Sequence, residues 1–365
     1  MKKLNNGSVK EEEEIMKKLW SIAVILIVAL FLTACSETTT TEAPQENNNP
    51  SASLGTNLTT PEDISSIAVV EAISAEWALT GHASTSGALN RAGGRDGCQP
   101  CHSGNGFLQH LSDNPYTPQA DEEADEEVEL PMTMDCATCH TGVGQEMLAT
   151  GVTPAEYVPF MDEDFNVGES SALCIACHNG RRDTVGMFEE WVSGEGQPTA
   201  YPHYDAGALY SGIGGMEYPD VEYSNSVGHQ LLGCVGCHMP ETEEGYISHN
   251  FSMDIADIEA SCGSCHSNTS DFSVGGNLQA ELDELLEELH DAAVAAVDGA
   301  AAIGMSRLTF PFVDAAGEPV DIENVSKEAF VAAYNYYLVY SDKSGGAHNP
   351  KYAKSLLQES LWKLQ

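Results

Sequence analysis

Basic residues are scarce in this chain. Its 365 residues carry 15 Lys and Arg against 56 Asp and Glu, a formal charge of −41. Such a surface repels nucleic-acid phosphate and anionic lipid headgroups, which argues against a nucleic-acid partner. It suits cationic partners, metal ions or salty surroundings, or it is a solvated acidic face with no specific partner. Aliphatic core is also short. Residues 81–275 are rich in Gly, Pro, Asn and Ser, with brief apolar runs and little strand alternation. A domain of that length normally buries more aliphatic surface than these runs supply. No apolar run is long enough to span a bilayer comfortably; the longest, Trp20 to Leu32, is too short. Cysteine outside one recurring pattern is nearly missing, since the pattern uses every cysteine but Cys35.

That pattern is Cys-x-x-Cys-His, and it occurs five times. The copies are Cys98-Gln99-Pro100-Cys101-His102, Cys136-Ala137-Thr138-Cys139-His140, Cys174-Ile175-Ala176-Cys177-His178, Cys234-Val235-Gly236-Cys237-His238 and Cys262-Gly263-Ser264-Cys265-His266. It is the attachment signature of c-type haem: two thiols add to the porphyrin vinyl groups, and the adjacent histidine reaches the iron as proximal ligand. A zinc site would pair the motifs, and five leave one over. A redox dithiol needs one motif in a strand-turn-helix setting, without a histidine after each copy. The cofactor expectation is therefore five covalently bound haem c groups. Five apolar plates tied to the backbone also supply the core that the side chains lack. The motif spacings are irregular, which argues against a solenoid of equal units.

The start of the chain reads as a targeting segment. Lys17 and Lys18 precede the apolar run, which ends in Leu32-Thr33-Ala34-Cys35. This end resembles the lipobox of bacterial lipoproteins, in which cleavage leaves the cysteine as a lipidated N-terminus. Residues 1–34 are expected to be the signal peptide and Cys35 the lipidation site. Glu11 to Glu14 sit where a signal peptide wants positive charge, so Met16 is the expected true start. Without residues 1–34 the chain loses five Lys and four Glu, leaving 10 basic and 52 acidic residues. The resulting protein is anchored to a membrane and does not span it. Ser36 lacks the acidic retention signal of such lipoproteins, which points to the outer membrane. Haem c attachment outside the inner membrane agrees with export.

Further organisation follows from composition. Residues 35–60 read as a lipidated, disordered tether. Residues 61–275 form the expected five-haem domain, opening with a helix over 62–80 that carries Ile64, Ile67, Ala68, Val70, Ile73 and Trp77. Asp121 to Glu127 make an acidic exposed loop between the first two motifs. Residues 276–365 are the C-terminal helical region, packing on the haems. An amphipathic helix is predicted over 277–299, a second from an N-cap at Ser326 to just before Ser344, and a third capped by Asn349 with Pro350 at its first position. The fold class is mainly α with extensive loops, a haem-templated multihaem cytochrome fold with little β.

Of the twelve histidines, five are proximal. The remaining seven exceed the five needed to close every iron. His82, His203, His229, His249 and His348 are the expected distal ligands, from their places after a helix, beside a motif or at a helix start. His110 and His290 are held in reserve: His110 on a short helix after the first motif, His290 as a buried core histidine on the apolar stripe of its helix. Methionine ligation is not expected, and Met239 cannot easily fold back onto the iron of His238. Arg181 and Arg182 either pair with haem propionates or form an exposed basic pair. Negative charge around the haems favours low potentials.

At these residues the chain resembles the bacterial multihaem c-type cytochromes, in particular a pentahaem member. Two stretches are similar to the ammonia-forming nitrite reductase and hydroxylamine oxidoreductase group: His229 through Cys234-Val235-Gly236-Cys237-His238-Met239-Pro240 to His249-Asn250-Phe251, and Gly346-Ala347-His348-Asn349-Pro350 with the following helix. The resemblance implies distal roles for His229, His249 and His348. Such nitrite reductases carry the catalytic haem on a motif ending in lysine. This chain has no such motif, and the catalytic Arg, Tyr and His of that family have no residue-by-residue match. The resemblance therefore implies shared haem packing and not a shared reaction.

An iron closed by two histidines has no vacant position, so the expected role is electron transfer among redox proteins of the cell envelope, with other periplasmic or outer-membrane cytochromes as partners. The chain reads as a carrier more than an enzyme. Alternatives are a reductase of a small nitrogen or sulfur oxyanion with one open haem, and a subunit of a cytochrome filament.

Overall fold

Helices of two kinds build the molecule. Over residues 98–262 they are short. The computed structural model describes residues 62–84, 92, 98–113, 133–158, 165–166, 171–193, 201–203 and 206–365. The signal segment, Cys35, the tether and the acidic loop lie outside these. Helix α1 spans Glu62–Trp77, and a 3-10 turn over Gly81–Ala83 follows it. Then come α2 (Gln99–His102), α3 (Gly104–Asp113), α4 (Cys136–His140), α5 (Gly142–Thr150), α6 (Ala172–His178), α7 (Thr184–Ser193), α8 (Ala206–Ser211), α9 (Val227–Gln230), α10 (Gly233–His238) and α11 (Ile258–Cys262). The long C-terminal helices are α12 (Leu278–Ala295), α13 (Lys327–Asp342) and α14 (Pro350–Lys363). Strands are minimal: β1 (Val152–Thr153) pairs antiparallel with β2 (Phe165–Asn166), and β3 (Ala302–Ile303) with β4 (Phe312–Val313). The fold is mainly α with loops. No helix among the described residues is long and apolar enough to cross a membrane.

The C-terminal helices have sequence reasons for their bounds. The Ser326 hydroxyl accepts from Ala329 N at 3.2 Å and starts α13. Lys343, left-handed at φ 62°, stops it. The Asn349 side chain accepts from Tyr352 N at 3.4 Å, and Pro350 opens α14. The three helices bury Leu282, Leu289, Phe330, Tyr334, Tyr352 and Leu356 against one another. Burial on α13 extends beyond one face, taking in Val331, Ala332 and Asn335. Buried Asn335 is satisfied: its amide donates to Met216 O and Ser360 Oγ, and its oxygen accepts from Met216 N. This joins the loop after α8 to two of the long helices.

The apolar stripe expected on α1 is only partly used. Ile67 and Val70 are more than half exposed. Instead the helix is anchored by its C-terminal end, where Trp77 Nε1 donates to Met134 O at 2.8 Å. A smaller cluster, including Phe107, Met147, Tyr157 and Ile175, lies among the short helices.

Candidate functional site

A helical turn explains the motif geometry. Residues three apart lie on one helix face, so the two cysteines of a Cys-x-x-Cys pair point the same way. Four motifs sit on α2, α4, α6 and α10, with Cys98 as the N-cap of α2. The fifth begins on the last residue of α11 and runs into a turn. Local bonds fix these turns. Asp135 caps α4 through a reciprocal pair with Thr138, inside the second motif. Buried Asn179 closes α6 by donating to Ile175 O and Tyr157 O at 2.8 Å each. None of the ten motif cysteines is in a disulfide.

The motifs are close neighbours. Cys101 Sγ approaches Ala176 O at 3.7 Å, joining the first motif to the third. Ser171, at the start of α6, accepts from Cys234 N at 3.0 Å, joining the third to the fourth. The Ser261 hydroxyl donates to Cys237 O at 2.9 Å, joining the fourth to the fifth. The second motif meets the first where Gly104 passes so close to Thr133 and Thr138 that an added Cβ would lie 2.5 Å from Thr138 Oγ1. Its Cys139 also raises the thiol pKa of Cys177, after the larger effects of the Cys101 hydrogen bond and burial. The third motif is thus central. Cys136 and Cys265, of the second and fifth motifs, are exposed.

Each motif histidine faces one histidine from outside the motifs. Ring centroids are 6.2 Å apart for His102 and His203, 6.2 Å for His140 and His249, and 6.2 Å for His178 and His82. They are 6.0 Å apart for His238 and His348 and 6.3 Å for His266 and His229. Two imidazoles bound trans to one metal, each nitrogen about 2.0 Å from it, set their centroids about 6 Å apart. Ordinary aromatic contacts scatter over roughly 4.5–7 Å. Here five pairs fall in a band of 6.0–6.3 Å, each joining a motif and a non-motif ring. The residues therefore fit haem iron.

The electrostatics of six of the ten rings agree with that fit. Burial lowers the pKa of His82, His102, His140 and His238. Burial, then neighbouring imidazoles, brings His178 to about 3. Burial, then Arg181 and Arg182, brings His203 to about 4. These rings are neutral at pH 7, the form that offers a lone pair to a metal. Three of the paired rings have one nitrogen engaged by a carbonyl. His238 Nδ1 donates to Phe251 O at 2.9 Å, His249 Nδ1 to Ile247 O at 2.8 Å and His229 Nδ1 to Ala347 O at 2.5 Å. A carbonyl only accepts, so Nδ1 holds the proton and Nε2 is left bare.

The reserve histidines differ. The side chain of His110 lies outside the described atoms of α3. His290 is not the buried core residue expected: its side chain is 30% exposed, beside Asp291 and the ring of Tyr336. Leu289 fills the core instead. One residue turns a helix by about 100°, which carries His290 to the flank. Arg181 and Arg182 are half-buried, not an exposed pair. Arg182 Nε donates to Tyr201 O at 3.3 Å, so both flank the site of His102 and His203.

Three supporting residues carry no sequence signal of their own. Glu76 accepts from Tyr246 Oη, Ser248 Oγ and His249 N at 2.8, 3.1 and 2.6 Å. It joins α1 to the loop of His249. Phe251, left-handed at φ 56°, packs its ring on His82 and His249 while its carbonyl serves His238. Asp342 takes the Nδ1 of His348.

Repeated attachment motifs on a loop-rich helical frame, each with a facing imidazole, are the features of the multihaem c-type cytochromes, to which the chain is similar. The cytochrome c552 family matches residues 212–365, which hold the fourth and fifth motifs and the C-terminal helices. The C-type polyheme cytochrome OmcC of Geobacter sulfurreducens is 25% identical, over 73% of this chain and 42% of that protein. The chain thus spans less than half the length of that curated relative. The crystal structure of the outer cell wall cytochrome OcwA aligns with a TM-score of 0.44 and 22% identity, over 80% of this chain and 50% of that one.

Proposed function

We propose that the chain binds five haem c groups, one per motif, each held between two histidines. The pairs are His102 with His203, His140 with His249, His178 with His82, His238 with His348 and His266 with His229. Bound haem supplies one-electron chemistry. The protein's residues hold each group from both sides, leave no face open to a substrate and keep the centres adjacent. The observation that carries this reading is the set of five histidine pairs in one narrow distance band.

The contacts between motifs favour a branched path. The third site is the junction, the first and second flank it, and the fourth leads on to the fifth. The second and fifth motifs, where Cys136 and Cys265 lie at the surface, are the sites where redox partners, such as other envelope cytochromes, would exchange electrons. The sequence Leu32-Thr33-Ala34-Cys35 supports an exported lipoprotein anchored through Cys35, on the outer membrane.

Low-temperature electron paramagnetic resonance of the oxidised protein tests the coordination. Five low-spin ferric centres, unchanged by nitrite or hydroxylamine, are expected. A high-spin centre that responds to either would replace this reading with the reductase one. Pyridine haemochrome analysis should count five haems per chain.

A further inference from the structure

Among the described ring-nitrogen contacts of the paired histidines, one has a charged acceptor. His348 Nδ1 lies 2.6 Å from Asp342 Oδ1, and the Asp342 side chain is fully buried. Where partners of the other ring nitrogens are seen, they are neutral. They are the carbonyls of Phe251, Ile247 and Ala347, and for His203 the Tyr201 hydroxyl at 3.4 Å. At the opposite extreme, His102 Nδ1 is buried without a hydrogen-bond partner.

Asp342 is an odd occupant of its position. It is the last residue of α13, where the helix dipole disfavours negative charge. Burial adds to that cost. Its second oxygen is held by Ser344, through both the backbone N at 3.3 Å and the hydroxyl. The same hydroxyl accepts from His348 N at 3.3 Å. Asp342, Ser344 and His348 therefore form a closed set that aims one carboxylate oxygen at one imidazole nitrogen.

A carboxylate that accepts from a ligating imidazole draws its Nδ1 proton away and makes Nε2 a stronger electron donor. Stronger donation favours ferric over ferrous iron and lowers the potential. Building on the ligand pairs proposed above, we propose that Asp342 is a positioning residue that makes the haem of His238 and His348 the lowest-potential centre of the chain. The first site lies at the other end of the scale, since His102 lacks an acceptor and Arg181 and Arg182 stand beside it. The chain thus carries a built-in potential difference between its fourth and first haems, with the third between them.

The test is a potentiometric titration of the intact holoprotein and three variants, read by optical and low-temperature paramagnetic resonance spectra. Asp342→Asn should raise the lowest of the five transitions by at least tenfold in its equilibrium constant, about 59 mV for one electron. The other four should stay in place, and all five haems should remain low-spin. Ser344→Ala frees the carboxylate from a competing donor and should move the same transition downward. Asp342→Glu should restore it. Five unmoved transitions in Asp342→Asn, or an equal shift of all five, would overturn the proposal. If Asp342→Asn does not retain its haems, Ser344→Ala decides alone: an upward shift or no shift refutes it. Failure of the underlying ligand pairs has a separate mark, a high-spin centre in the unaltered protein.

Discussion

The haem-bearing segment, residues 98–266, and the C-terminal segment, residues 278–363, solve the same problem with different materials. The second buries Leu282, Leu289, Phe330, Tyr334, Tyr352 and Leu356 in an ordinary side-chain core. The first has helices of 4 to 10 residues and a small cluster around Phe107 and Ile175. It carries the ten motif cysteines and eight of the ten paired histidines, where other proteins place leucine. Short helices are marginal alone. The comparison teaches that one half is stabilised by its side chains, and the other by the groups attached to it.

The sharpest break between the halves comes from withholding haem. In the full chain made without haem attachment, residues 278–363 should keep slow amide exchange. Residues 98–266 should exchange at nearly unprotected rates. Equal protection in both halves would end the distinction. A smaller effect separates the same halves in the holoprotein. Phe330→Ala removes a fully buried ring from the C-terminal core and should cost about 3–5 kcal/mol with or without haem. Phe107→Ala, also fully buried, should be costly only when haem is attached, because only then is its surroundings a packed core. Denaturant unfolding of both variants in both forms measures this.

Asn349 joins the two halves and should fall next in size. Besides capping α14 it donates to Tyr210 O at 3.2 Å and to Asn225 Oδ1 at 2.8 Å, and it accepts from Ser226 N at 2.9 Å. It is fully buried. Asn349→Ala loses the cap and strands those partners, about 2–3 kcal/mol in thermal or denaturant unfolding. Ser326→Ala, which loses a cap alone, should cost about 1 kcal/mol.

The same two halves differ in how much of them the sequence discloses. The C-terminal helices are legible because periodicity and caps suffice: Ser326, Asn349 and Pro350 stand where the pattern puts them. His290 was misplaced there only by the turn of one residue. In the haem segment the motifs are plain, yet their partners are not. His82 faces His178 and His229 faces His266, while His348 reaches back to His238. Long loops set these pairings, and no local rule encodes them. Asp342 and Glu76 were illegible for the same reason, since an acidic residue in so acidic a chain carries no signal until its hydrogen bonds are seen.

Glu76 gives the finest test, on the haem side. Burial pushes its carboxyl up, but the His249 amide and then the Tyr246 and Ser248 hydroxyls more than offset this, leaving the folded pKa below the ordinary 4.5. A carboxyl lowered on folding stabilises the protein above its unfolded value and loses that contribution as pH falls through the folded one. Glu76→Gln should therefore cost about 1 kcal/mol at pH 7, a modest figure because the site is mostly solvated. The gap between the two proteins should stay constant down to about pH 5 and close below it, as the wild-type carboxyl protonates. Thermal unfolding across pH 3–7 measures that gap. A gap that persists at pH 3 would mean that Glu76 acts through shape and not charge. If the gap closes while the haem spectrum also changes, the tie between α1 and the His249 loop is what holds that loop in place.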